Sequence, residues 1–126
     1  MPITIVSDVH KASFTDYGNG FKGSVTHADR DKQNPLSSGF MEVRESEGRA
    51  YNYSISHEIS LVLEGELVLE DQAHPGEKKI AKKGSVVRID RGTTARWSSP
   101  TYGKAFWVAQ IDEDSLARHD EFVVPD

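Results

Sequence analysis

The 126-residue chain contains no cysteine, which at once excludes disulfides, thiol nucleophiles and Cys-based metal sites. A cytoplasmic setting is consistent with that absence. No run approaches the roughly 20 apolar residues that a membrane span needs. The opening MPITIVSDVHK lacks a charged region followed by an apolar stretch, so the sequence reads as neither secreted nor inserted. A basic stripe interleaved with aromatics is also missing. With 15 Lys and Arg against 20 Asp and Glu, the formal net charge is −5, and nucleic acid is not an expected partner. The one basic cluster, Lys78, Lys79, Lys82 and Lys83, reads as a solvated hairpin rim. No linker rich in Pro, Gly or Ser and no internal repeat divides the chain, so one domain spanning 1–126 is expected.

What the sequence does contain is a series of short β-type runs separated by Gly, Pro, Asn and Asp clusters, which predicts an all-β sandwich or barrel. Candidate strands are 3–6, 21–27, 38–44, 49–54, 58–63, 66–70, 78–81, 85–89, 94–99 and 104–111. Glu64-Gly65 and QAHPGE (72–77) read as hairpin connections within an antiparallel meander. A short C-terminal helix is predicted over 112–119, capped by Asp112 or Asp114 and packed on the outside. The longest polar loop is 28–38, the segment expected to move if anything moves over a pocket mouth.

Two stretches, YNYSISHEISLVLEG (51–65) and GSVVRIDRGTTARW (84–97), resemble the two motifs of the cupin superfamily of small jelly-roll barrels. Glu58 followed by six residues and Gly65 fits the end of the first motif, and Gly84 and Gly92 fit the second. Counting along those motifs, the histidines that hold metal in cupins fall on Asn52 and Ser54, or on Tyr51 and Tyr53, and the third falls on Ala95. A single carboxylate without imidazoles is too few ligands for a catalytic divalent ion, so neither metal nor another cofactor is expected. Within the cupins, PLSSGFMEV (35–43), HEISLVLEGEL (57–67) and GSVVRIDRGTTARW resemble the ethanolamine-utilisation Q-type family, with a core over roughly 38–110. The resemblance implies a single-domain cupin jelly roll.

In the resembled fold Glu58 points into the barrel, and alternation puts Ser60 and Val62 on the same face. A carboxyl group among apolar walls has a raised pKa, the profile of a general acid/base near neutral pH. Tyr53 and His57 are the candidate helpers. His57 faces away if it shares a continuous strand with Glu58, and reaches the pocket rim if the strand begins at Glu58. Tyr51, Asn52, Ser60, Arg88 and Trp97 are candidate substrate contacts: Tyr51 or Asn52 depending on which register faces inward, Arg88 as a hold for an anion, Trp97 as pocket wall or core on the face of Ala95. The remaining histidines, His10, His27, His74 and His119, show no metal-like pairing, and Glu42 and Arg44 read as an exposed edge or a dimer contact. The expected function is metal-independent isomerase, lyase or cyclase chemistry on a small carbonyl-containing molecule. The alternative is a non-catalytic small-molecule binding cupin of the ethanolamine-utilisation type. A homodimer is expected in either case, since small jelly rolls commonly cover an outer sheet face by symmetric pairing.

Overall fold

The computed structural model describes residues 3–9 and 14–125. Its strands are β1 (Thr15–Gly18), β2 (Phe21–His27), β3 (Ser37–Asn52), β4 (Glu58–Asp71), β5 (Lys78–Lys82), β6 (Val86–Ile89) and β7 (Thr94–Ala109); a short helix α1 (Glu113–Ala117) and a 3-10 turn at His119–Glu121 follow. One antiparallel sheet runs in the order β1-β2-β3-β7-β4-β5, with β6 also paired to β4. The all-β expectation holds, but the meander does not. β7 lies between β3 and β4, so two strands consecutive in sequence are held apart by a third that arrives later.

Three long strands replace six of the predicted short ones, because residues that read as breaks are bulges. The segments 38–44 and 49–54 fuse into β3, 58–63 and 66–70 into β4, and 94–99 and 104–111 into β7. Glu64-Gly65 is therefore not a turn. Gly65 has φ 66 and lies where the pairing of β4 with β7 shifts register. A Cβ there would collide with the Tyr102 carbonyl, so only glycine permits both the backbone and the approach. Gly48 plays the same part in β3 against the carbonyl of Trp97. Pro100, which cannot donate to a ladder, sits where β3 and β7 change register. The bends let the long strands curl around one core, in which Val43, Val62, Leu67, Trp97 and Ala105 are no more than 1% exposed.

The 3–6 run is not a strand: Ile3 and Ile5 are exposed, outside the sheet. β propensity alone makes no strand without a paired edge. β1, polar and four residues long, was not predicted, although the Asn19-Gly20 turn that joins it to β2 carries the positive φ of a hairpin signal. The hairpin at 72–77 is present, with the His74 amide donating to Asp71 O and the Gly76 amide to Glu70 Oε2. Asp112 is the cap of α1, accepting from the Ser115 amide and hydroxyl. Loop 28–38 is tied to α1: the Glu113 amide donates to Asp29 O, while the Asp29 carboxylate accepts from the Asp31 and Leu36 amides. Those amides hold the Asp29 carboxyl below its usual range. Among the described residues no helix is long and apolar enough to cross a membrane.

Candidate functional site

A cavity of about 440 Å³ opens between the inner face of the roll, β1 and α1. Alternation along β4 turns Glu58 into it: Glu58, Ser60 and Val62 are buried on one face while Ile59 and Leu61 face out. Small residues on neighbouring strands, among them Ala109 opposite Glu58, leave the space unfilled. Aromatic rings form much of the wall. Tyr51 and Tyr53 lie with ring centres 4.9 Å apart. Tyr17 meets Phe21 edge-on at 5.5 Å and His119 at 4.8 Å, and Trp107 also lines the cavity.

Glu58 is buried and has no cation beside it among the described residues. Its Oε2 accepts from the Tyr53 hydroxyl at 3.1 Å and from the Ser60 hydroxyl at 3.2 Å. Behind Tyr53, the Trp97 indole N–H donates to the phenol oxygen at 2.9 Å. An indole nitrogen can only donate, which fixes the direction of the relay: Trp97 to Tyr53, Tyr53 to Glu58. Burial raises the Glu58 pKa from 4.5 to about 7, against the opposing effect of the two hydroxyl donors. Burial also pushes the Tyr51 and Tyr53 phenols up, so both keep their protons at neutral pH. Oε2 already accepts two hydrogen bonds, which leaves Oε1 as the oxygen open to a proton.

The structure brings four of the predicted residues together and leaves four apart. Tyr51, Tyr53 and Glu58 line the cavity, and Ser60 sits beneath Glu58. The register that faces inward is Tyr51 and Tyr53. Asn52 lies outside the cavity lining, its amide bound to Phe122 O, and Ser54 is exposed. Trp97 is core, touching the site only through Tyr53. His57 does not reach the cavity although β4 begins at Glu58: its Nδ1 accepts from the Arg91 amide at 2.9 Å on the outer side. Arg88 also faces outward and pairs with Asp90 at 2.7 Å, so it is not placed to hold an anion in the roll. Glu42 and Arg44 pair with each other at 3.4 Å, with Arg44 exposed. His10 lies outside the described residues.

Residues that sequence reading missed come from distant segments. Tyr17 belongs to the unpredicted β1, Phe21 and Met41 alternate inward on β2 and β3, and His119 is delivered by the 3-10 turn. His119 Nε2 lies 3.1 Å from Asp120 Oδ1. Phe21, Met41 and Trp107 carried a local signal, the in-out alternation of their strands.

Among the described residues no three His, Cys, Asp or Glu side chains come together as a ligand group. The positions that would carry imidazoles hold two protonated phenols and buried Ala95. Neutral phenols are poor ligands, so this donor set does not fit a divalent transition ion.

The family model for Ethanolamine utilisation protein EutQ matches residues 3–113. Among solved structures, the ethanolamine utilization protein Q of Salmonella typhimurium is similar at 25% identity, covering 77% of this chain and 77% of that one with a TM-score of 0.63. An RmlC-like cupin from Shewanella frigidimarina is similar at 19% identity over 86% of this chain and 93% of its own, TM-score 0.67. The ectoine synthase of P. lautus shares the fold at 14% identity over 98% of this chain and 90% of its own, TM-score 0.78. No curated protein matches the chain.

Proposed function

The chain belongs to the family of the ethanolamine utilisation protein EutQ, a cupin fold, and from that premise we propose that it is a metal-independent enzyme performing acid/base chemistry on a small carbonyl-containing molecule in the cavity. The observation that carries this reading is Glu58: a buried carboxyl with a pKa of about 7, one oxygen held by Tyr53 and Ser60 and the other free toward the cavity. A group that is half ionised at neutral pH both accepts and returns a proton readily. As carboxylate, Oε1 takes a proton from the carbon beside the substrate carbonyl; as acid it gives that proton back at another atom. Tyr51, whose hydroxyl has no partner among the described residues, donates to the carbonyl oxygen as charge develops there. Tyr53 holds Glu58 in place. Isomerisation, lyase and cyclisation reactions all use this arrangement.

Glu58→Gln is nearly isosteric and keeps an oxygen for Tyr53 and Ser60. It is expected to fold and bind while losing turnover by about a hundredfold or more; a variant as active as the parent would remove Glu58 from the mechanism. A cavity that binds without converting is the second reading, supported by the partners of Glu58, two hydroxyls that anchor the carboxyl without a second carboxyl or imidazole hydrogen-bonded to it among the described residues. Under it, a saturable ligand is recovered unchanged. We also propose a cytoplasmic homodimer. Phe40, Phe106, Leu61 and Val86 stand in one row across four strands on the outer face, and a second copy would cover them. Light scattering with Leu61→Lys tests this: the parent should have twice the mass of the variant.

A further inference from the structure

The cavity contains acid and aromatic groups but, among the described residues, no lysine or arginine. Glu58 forms its floor and Glu113 part of its rim, where Glu113 is paired at 3.4 Å with the largely exposed Arg30. The rings of Tyr17, Phe21, Tyr51, Tyr53 and Trp107 enclose the space between. Paired rings are inclined rather than stacked, at 65° for Tyr17 and Phe21 and 56° for Tyr51 and Tyr53, so faces and edges turn in different directions around one volume. Ring faces carry negative charge density and attract cations, and several rings around one volume reinforce one another. An anionic ligand would meet the Glu58 carboxyl at the floor with no lysine or arginine beside it, the Arg30 charge being engaged by Glu113 at the rim. A neutral apolar one would leave Glu58 Oε1 without a partner.

Building on the assignment of this cavity as the substrate site, we infer that the ligand is a small organic cation carrying an ammonium group, seated against the aromatic walls and facing Glu58. Size agrees: about 440 Å³ suits a small metabolite rather than a polymer. The charge also bears on chemistry. In the empty cavity Glu58 is divided between its acid and carboxylate forms at neutral pH. A cation at the rings favours the carboxylate, so arrival of the substrate converts Glu58 into the base. The titratable groups that face the same space are Tyr17, Tyr51 and Tyr53, all raised and therefore neutral, together with Glu113 and His119.

The test uses three probes of one shape and different charge: tetramethylammonium, tert-butanol and pivalate. Each is titrated into the whole protein while the indole signals of Trp107, in the cavity wall, and Trp97, in the core, are followed by NMR. Tetramethylammonium should shift Trp107 and bind at least about tenfold more tightly than tert-butanol, and pivalate should not saturate. The affinity for the cation should rise severalfold between about pH 6 and about pH 8, as Glu58 ionises. That rise should disappear in Glu58→Gln and persist in His119→Gln, which separates the carboxylate from the imidazole that shares the cavity. Equal affinity for tert-butanol, tighter binding of pivalate, or a pH response that follows His119 would each overturn the inference. Cation-selective binding with Glu58→Gln fully active would overturn the acid/base reading and leave this one standing; loss of turnover in Glu58→Gln without cation selectivity would do the reverse.

Discussion

Glu58 and Asp90 sit almost side by side across two paired strands, yet they are opposite kinds of carboxylate. Glu58 lies opposite Ile89 in the β4–β6 ladder, and Asp90 is the next residue. Glu58 faces inward, where desolvation dominates and hydroxyl donors only partly compensate, and its pKa rises to about 7. Asp90 faces water, where the hydrogen bond and charge of Arg88 hold its carboxyl below the usual range. Strand parity decides which situation each acid occupies, and hence which can trade protons near neutral pH. The Arg88 and Asp90 pair and the neighbouring His57 form a surface charge cluster on the far side of the wall from the chemistry.

The largest expected effect comes from the pH dependence of stability, in which the two acids have opposite signs. The folded-state pKa of Glu58 is raised above its unfolded value, so its contribution is fully present below about 4.5 and is lost as pH rises through about 7. The full loss amounts to about 3 kcal/mol. Asp90, with a depressed pKa, contributes stability that is present at neutral pH and lost as pH falls through its lowered value. Denaturant unfolding of the parent and of Glu58→Gln from about pH 4 to about pH 8.5 separates them: the parent should lose stability between about pH 4.5 and about pH 7 and level off above that, and the variant should not. Parallel curves would mean that Glu58 is not buried as a lone acid. At the alkaline end the variant should be the more stable protein, an expected cost of holding an unpaired carboxyl group for function.

An intermediate effect is expected from Tyr53→Phe, which removes the donor to Glu58 and strands the buried indole N–H of Trp97. Leaving one buried donor unmade costs about 1 to 3 kcal/mol. Because the Tyr53 hydrogen bond lowers the Glu58 pKa, its loss moves the titration further upward. Carboxyl carbon NMR of Glu58 should therefore show a higher midpoint in the variant, and an unchanged midpoint would break the proposed relay. Adding Trp97→Phe to Tyr53→Phe should cost less than the separate changes combined, since both act on one chain of hydrogen bonds.

What was legible in the sequence follows the same division. Local alternation identified Glu58, Ser60 and Val62 as one face, and the resemblance to the cupin motifs implied the fold and the missing imidazoles. Asp112 was readable as a cap because its partners lie three residues away. The bulges were not: Gly48, Gly65 and Pro100 carry turn chemistry, and only their close approach to a strand far away in sequence shows that the chain continues through them. The cavity wall was least legible: Tyr17 and His119 carried no local pattern, and the alternation that turned Met41 and Trp107 inward did not tell that long-range pairing brings them to one cavity.

The smallest expected effect, and the sharpest test of the inside-outside contrast, belongs to His57. By residue type and neighbourhood it is the natural partner for Glu58, since histidine is the side chain most often used for proton transfer near neutral pH. Its Nδ1, however, is occupied by the Arg91 amide, and Asp90 lies 3.7 Å away on the same outer side. Loss of a general acid or base costs about a hundredfold or more, whereas His57→Gln should change turnover by less than about twofold. The side-chain oxygen of the introduced glutamine can still accept from the Arg91 amide, so the loop stays anchored and a loss of rate could not be blamed on its release. A large drop would place His57 in the cavity during turnover, and would require the wall between Glu58 and Asp90 to open.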